Sequence, residues 1–401
     1  MRTLSLAFHV HQPYRLARCS SLEPLRPRSY LDTAANEAIV RRIAARCYVP
    51  ATRALAETLR RCAGSARVAF SITGTALEQL TRTAPEGLAA FQDIARTGCV
   101  DFLGETYYHS LASLYDDAEF SFQVEHHAQA LTALVGVRPT VFRNTELVYD
   151  DRTAALVAAC GFKGIIAEGV DAVLADRSVH AEYLSPAGLP LLLRDYRSSD
   201  DIAFRFTANN GAGAPLDAGV FLARLSEYVP PEGVVLLYVD YETFGEHHSE
   251  TSGIIEFLAT LPERALESGE WRCVSPVDAL TTPRERGVIS FPQPTSWADT
   301  RRDISAWRGN KMQQSALERT FDLGPALRHR GDAAALEMWR RLLSSDHFYY
   351  MATPHSPADK SVHAGFSPYE SPYEAFINYM NVLRHFRAVH LEGAPLTGAW
   401  E

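Results

Sequence analysis

Short runs of apolar and β-branched residues punctuate the first three quarters of the chain, at residues 4–8, 68–72, 100–103, 140–142, 164–167, 189–193 and 234–239. Their length and composition predict strands buried on both faces. Helical patterns separate several of them, at 52–61 and 120–135 for example. This alternation predicts a parallel sheet with right-handed crossovers, either open or closed into a barrel. From about residue 290 the pattern becomes wholly helical. Segments 312–328, 333–343 and 373–386 read as helices, the last carrying Tyr373, Phe376, Ile377, Met380 and Leu383 at spacings of three and four. Two stretches carry no pattern, 17–33 and 346–372, and read as long loops of the kind that border active sites.

Polar and ionisable residues at the predicted strand ends favour a barrel. His9 and His11 come directly after the first strand, Glu105 after the third, Glu146 after the fourth, Glu168 after the fifth, Asp195 after the sixth, and Asp240 with Glu242 after the seventh. In β/α barrels the active site is assembled from the C-terminal ends of several strands, which is this distribution. The expected fold is therefore α/β: an incomplete seven-stranded (β/α) barrel over residues 1–290, followed by a helical bundle over 291–401 that contributes to the substrate groove.

Composition narrows the class. With 46% hydrophobic and 22% charged residues, the chain is that of a globular protein rather than a disordered or fibrous one. Its 48 acidic and 39 basic side chains give a charge of -9, the wrong sign for nucleic acid or an anionic membrane as principal partner. Cys19, Cys47, Cys62, Cys99, Cys160 and Cys273 form no C-x-x-C pair and read as buried thiols. No apolar run approaches a membrane span, and the N-terminal apolar stretch is too short for a secretory signal. A cytoplasmic enzyme is the expectation. No Gly-rich phosphate loop is present.

Two segments carry the sharpest chemistry. Phe142-Arg143-Asn144-Thr145-Glu146 delivers a carboxylate to a strand end, with Arg143 placed to bond a neighbouring carboxylate or a sugar hydroxyl. In Asp240-Tyr241-Glu242-Thr243-Phe244-Gly245 the strand period puts both carboxylates on one face, and Gly245 lets the chain turn at once. Glycoside hydrolysis requires one carboxylate at the anomeric carbon and one carboxylic acid at the leaving oxygen, roles open to Glu146 and Asp240. Their separation decides the outcome: about 5 to 5.5 Å for retention, roughly 6.5 to 9.5 Å for inversion. A rival reading starts from His9-Val10-His11, because an H-x-H at the first strand end also suits zinc. It would make the protein a metal-dependent hydrolase such as a polysaccharide deacetylase, although no further ligand falls into a recognised spacing. Among the aromatics, Trp297, Trp307, Tyr107, Tyr108, Phe244, Tyr349 and Tyr350 lie near these segments, and Trp307, among polar neighbours, is the best sugar-stacking candidate.

These residues carry a resemblance. His9-Val10-His11-Gln12-Pro13, Gly104-Glu105-Thr106-Tyr107-Tyr108-His109, Phe142 through Leu147, Asp240 through Glu246 and Asp303 through Lys311 resemble, in order, the five sequence regions of glycoside hydrolase family 57, α-amylase-type branch. Segments 345–351 and 376–381 are similar to that branch too. The resemblance implies an incomplete seven-stranded barrel with a helical domain, acting on α-1,4-glucans with retention and without metal or other cofactor. It implies Glu146 as nucleophile and Asp240 as general acid/base, with His9, His11, His109, Glu242, Asp303 and Trp307 lining sugar subsites. Region two departs from some members in carrying His109 where they place a glutamate. A 4-α-glucanotransferase is the near alternative, since a sugar hydroxyl can replace water. A glucan-binding protein without turnover is the remaining one.

Overall fold

The structure is a computed structural model that describes residues 1–207, 216–281, 286–354 and 356–392. It contains ten strands among these: β1 (Arg2–Val10), β2 (Val68–Ile72), β3 (Val100–Phe102), β4 (Val141–Arg143), β5 (Gly164–Glu168), β6 (Glu182–Leu184), β7 (Pro190–Arg194), β8 (Val234–Asp240), β9 (Trp271–Val274) and β10 (Gly287–Val288). Seven of them form a nearly closed parallel barrel. β8, β1, β2 and β3 pair in that order, and β4, β5 and β7 make a second parallel set. The two sets meet at thin seams, a single pairing of Arg194 with Leu236 and a bridge between Gly104 and Phe142. The sequence expectation of an incomplete seven-stranded barrel is met.

Strand periodicity explains what the barrel holds inside. Ala7, Ala69, Val141, Ile166, Leu192 and Leu236 form one buried apolar layer across the strands. Two residues further along each strand, on the same inward face, stand His9, Ser71, Arg143, Glu168, Arg194 and Tyr238. All are buried. A polar layer this deep is costly unless its members pair with one another, and it lies at the C-terminal end of the strands.

Three strands escaped the periodicity. β6 runs antiparallel to β7, β10 pairs with β6, and β9 adds to β1 outside the barrel. Their two to four residues are too few to display an alternation.

Two expectations about the C-terminal part need correction. Segment 312–328 is two helices, Lys311–Phe321 and Gly324–Arg330, because Pro325 lacks the N–H that would continue the first and instead sits in the opening turn of the second. Segment 346–372 is no loop: it holds the helices Ser345–Tyr349 and Pro357–Phe366, each too short to register as a period, while His355 lies outside the described residues. Segment 17–33 is irregular as expected but rests on the long helix Pro372–His390. Asn378 accepts from the Cys19 backbone at 2.8 Å, and the His385 ring bonds Pro24 O at 2.8 Å. One hydrophobic cluster runs from Phe142, Ile165 and Leu191 outside the barrel to Trp307, Trp339 and Phe386, so the helices share a core with the strands.

All six cysteines are free thiols; Cys62 and Cys160 are only half-buried, against the expectation for the set. No helix among the described residues is long and apolar enough to cross a membrane.

Candidate active site

Glu146 sits one turn past β4 in a backbone that few side chains tolerate. Its φ is 56°, and that of Leu147 is 50°. Two successive left-handed residues cost on the order of 1 to 2 kcal/mol each, and they persist because the turn is bound on all sides. Leu147 is buried in the barrel core, Asn144 Nδ2 donates to Ser113 and to Val148 O, and Thr145 bonds Thr106. The strain aims the Glu146 carboxylate at three donors. His109 Nε2 stands 3.1 Å and Ser345 Oγ 2.8 Å from Oε1, and Trp297 Nε1 donates to Oε2 at 2.8 Å. Burial alone pushes this carboxyl up, yet the bond and charge of His109, with the Trp297 N–H, hold it below its ordinary value.

His109 is itself held by carboxylates. Burial works against its charge, but Glu105, 3.7 Å from Nδ1, and Glu146 raise it to about 9. Glu105 is wholly buried; against its burial, Arg143 at 3.0 Å and His109 hold it down to about 2, and Ser71 Oγ donates to it at 2.6 Å. Arg143 thus does what its position in the sequence suggested: it bonds a neighbouring carboxylate.

Asp240 closes β8 beside His9, its pairing partner on β1. Burial first, then the negative charge of Glu146, push its carboxyl up to about 7 against the pull of Arg143, His109 and Arg194. Glu242 lies in the turn after it, where Tyr48 OH, Gln12 Nε2 at 3.2 Å and His11 N at 3.4 Å all donate to its Oε1. Burial and the charge of Asp240 raise it to about 8. The turn needs Gly245, whose φ is 127° and whose added Cβ would stand 2.1 Å from Arg46 O.

His9 and His11 both meet the ring of His109, His9 stacked with centroids 5.0 Å apart and His11 tilted at 4.0 Å. Burial, Arg143 and the neighbouring imidazoles keep His9 neutral, and its Nε2 is buried without a hydrogen-bond partner. His11 Nδ1 meets Thr73 Oγ1 at 3.0 Å and Nε2 meets Asp346 Oδ2 at 2.9 Å. Burial and His109 lower His11, so the neutral ring donates through Nε2 to the ionised Asp346 and accepts at Nδ1 from Thr73.

Folding also supplies what the spacing lacked for a metal reading. His11, His109 and Asp346 bring donor atoms within 4.8 Å of one another, as do His9, Glu105 and His109. Such donors suit a divalent transition metal. In the second group the Arg143 guanidinium on Glu105 opposes a cation, and in the first the donors already hydrogen-bond one another and Glu146.

The structure therefore brings together Glu146, Asp240, Glu242, His9, His11 and His109, and leaves two candidates aside. Trp307 is 1% exposed, enclosed in the hydrophobic cluster with Tyr349 6.1 Å away, and offers no face to a sugar. Its polar neighbours in sequence turn outward from a short helix, Ser305–Arg308, which is why the local composition misled. Asp303 braces the chain instead: its backbone oxygen accepts from Ser296 Oγ at 2.6 Å, next to Trp297. Trp297, Ser345 and Asp346 were not singled out. Trp297 stood only among the nearby aromatics, and Ser345 and Asp346 only within the segment 345–351 that resembles the family branch; contacts made from 151, 199 and 335 positions away left no signal in the spacing.

A parallel barrel with a strained carboxylate, a second carboxyl kept protonated near neutrality and imidazoles at the strand mouths defines a glycosidase-like site. The sequence comparison fits. The model of glycosyl hydrolase family 57 matches residues 5–292. The chain is 36% identical over 395 residues, 96% of its length and 84% of the relative's, to the Methanocaldococcus jannaschii protein named "Putative alpha-amylase". The chain belongs to glycosyl hydrolase family 57 and is a glycoside hydrolase. In fold it resembles the alpha-amylase AmyC of Thermotoga maritima, with a TM-score of 0.61 at 15% identity over 98% of both chains. It also resembles the 4-alpha-glucanotransferase of Thermococcus litoralis, with a TM-score of 0.64 at 14% identity, over 86% of this chain and 55% of that one.

Proposed function

We propose that the protein hydrolyses α-1,4-glucans with retention of configuration. Glu146 attacks the anomeric carbon while Asp240 protonates the departing glucosyl oxygen; Asp240 then takes a proton from the water that releases the sugar. The observation that carries this reading is the opposite tuning of the two carboxyls, Glu146 held ionised and Asp240 pushed up to about 7. His9, His11 and His109 line the site of the cleaved sugar, the unpartnered His9 Nε2 being a contact for a hydroxyl. The alpha-amylase name of the relative supports a glucan substrate. The helices after residue 290 act as part of the same catalytic unit. With its free thiols, the protein belongs to a reducing compartment such as the cytoplasm.

Incubation with maltoheptaose tests the reading. Hydrolysis releases new reducing ends whose first-formed anomer is α by NMR, and Glu146→Gln loses at least a thousandfold in kcat. A variant with a tenth of the wild-type rate, or a β product, overturns the assignment. Products longer than the substrate identify a 4-α-glucanotransferase working through the same residues.

A further inference from the structure

The helix Ser345–Tyr349 enters the site from the far end of the chain, and its first two residues touch the catalytic machinery directly. Ser345 is fully buried and cannot wander: its N–H donates to His109 O at 2.8 Å, and Ser344 pairs with Ser110 as an antiparallel bridge. From that fixed backbone its hydroxyl donates to Glu146 Oε1, 2.8 Å away. Asp346 beside it accepts from Ser344 Oγ at 2.7 Å and holds His11 Nε2 at 2.9 Å.

The distribution of donors over the Glu146 carboxylate is uneven. Oε1 faces both His109 Nε2 and Ser345 Oγ, which occupy its two lone pairs, whereas Oε2 faces only Trp297 Nε1. One oxygen is committed to the protein and the other keeps a lone pair free.

We infer that Ser345 and Asp346 are positioning residues contributed by the helical part: Ser345 dedicates Oε1 of Glu146 to the protein so that Oε2 attacks, and Asp346 fixes the His11 ring at the sugar. The inference rests on the retaining mechanism proposed above. In its first step a lone pair of Oε2 forms the bond to the anomeric carbon. The glycosidic C–O bond breaks, its electron pair goes to the departing oxygen, and the Asp240 proton neutralises that oxygen.

The test uses the full chain and maltoheptaose, with Glu146→Gln as reference. Ser345→Ala is expected to lower kcat roughly tenfold while KM stays within about twofold, since a bond to a charged nucleophile is lost without a change in the sugar contacts. The acid limb of the pH profile should move up, because Glu146 loses a donor to its ionised form. Asp346→Asn, which keeps the shape, should raise KM severalfold by untethering His11. If Glu146→Gln is inactive and Ser345→Ala retains wild-type kcat and acid limb, the positioning role is overturned while the mechanism stands. A fall in kcat with an unmoved acid limb, or one accompanied by a lowered melting temperature, makes Ser345 structural and overturns it as well. An active Glu146→Gln removes the mechanism itself, and this inference with it.

Discussion

His109 Nε2 stands 3.1 Å from Oε1 of Glu146, and the opposite nitrogen of the same ring lies 3.7 Å from Oε2 of Glu105. An imidazole between two carboxylates is held as a cation, and a cation beside Glu146 keeps that group ionised. The pair sets a positive charge next to the candidate nucleophile.

The first prediction concerns that ring. His109→Gln keeps a donor but removes the charge, so kcat should fall about ten- to a hundredfold and the acid limb of kcat/KM should move up. Stability gives an independent readout. The folded pKa of His109, about 9, exceeds the ordinary 6.5, so its contribution is fully present below pH 6.5 and is lost as pH rises through about 9. The melting temperature of the wild type, relative to His109→Gln, should therefore decline between those values. A constant difference across that range rejects a cationic His109.

The alkaline limb of activity is assigned to Asp240. Because its carboxyl is raised to about 7, the proton needed by the leaving group is present below that pH and lost above it, so kcat/KM should fall on passing pH 7. Asp240→Asn should abolish glucan cleavage yet spare the first step with an aryl glucoside whose leaving group needs no proton. Equal losses on both substrates would remove Asp240 as the acid.

How much of this was legible in the sequence depends on the physical range of each interaction. The seven barrel strands were, because burial on both faces writes continuous apolar runs, and so were the carboxylates after five of them. Asp240 with Glu242 and the pair His9 and His11 followed from the period of two, Glu146 from its place past a strand end, and their roles from the family resemblance. The helix Ser345–Tyr349 was not, since five residues carry no period and Ser345 meets Glu146 from 199 positions away. Trp307 shows the converse error: polar neighbours in sequence say nothing of what a side chain packs against once the chain returns on itself.

Glu242 yields a prediction about the cost of the site. Its three donors all aim at Oε1, the pattern of a neutral carboxyl accepting through its carbonyl oxygen, in keeping with a pKa raised to about 8. Glu242→Gln preserves that oxygen and should keep kcat/KM within about threefold, whereas Glu242→Ala, leaving Tyr48 and Gln12 unsatisfied, should lose about a hundredfold. A group whose folded pKa lies above its ordinary 4.5 contributes stability that is fully present below 4.5 and is lost as pH rises through about 8. At pH 8 Glu242→Gln should therefore be more stable than the wild type, by a few kcal/mol at most in denaturant melts. A less stable variant at pH 8 contradicts the neutral carboxyl.

Trp297 is placed to report on the substrate as well as to shape the nucleophile. The guanidinium groups of Arg143 and Arg194 lie over its ring, with Cζ 5.8 and 5.6 Å from the centroid, and Arg302 donates to its backbone oxygen. These cations fix the indole so that Nε1 reaches Oε2 of Glu146, the oxygen left free to attack. Trp297→Phe keeps the ring and deletes the donor, and kcat should fall about tenfold with little change in KM. Among the described tryptophans, Trp271, Trp307 and Trp339 are fully buried, whereas Trp297 is partly exposed beside Glu146. Quenching or enhancement of emission by maltooligosaccharides in Glu146→Gln should accordingly disappear when Trp297→Phe is added. A fluorescence response that survives the second substitution places the sugar against another indole and removes Trp297 from the site.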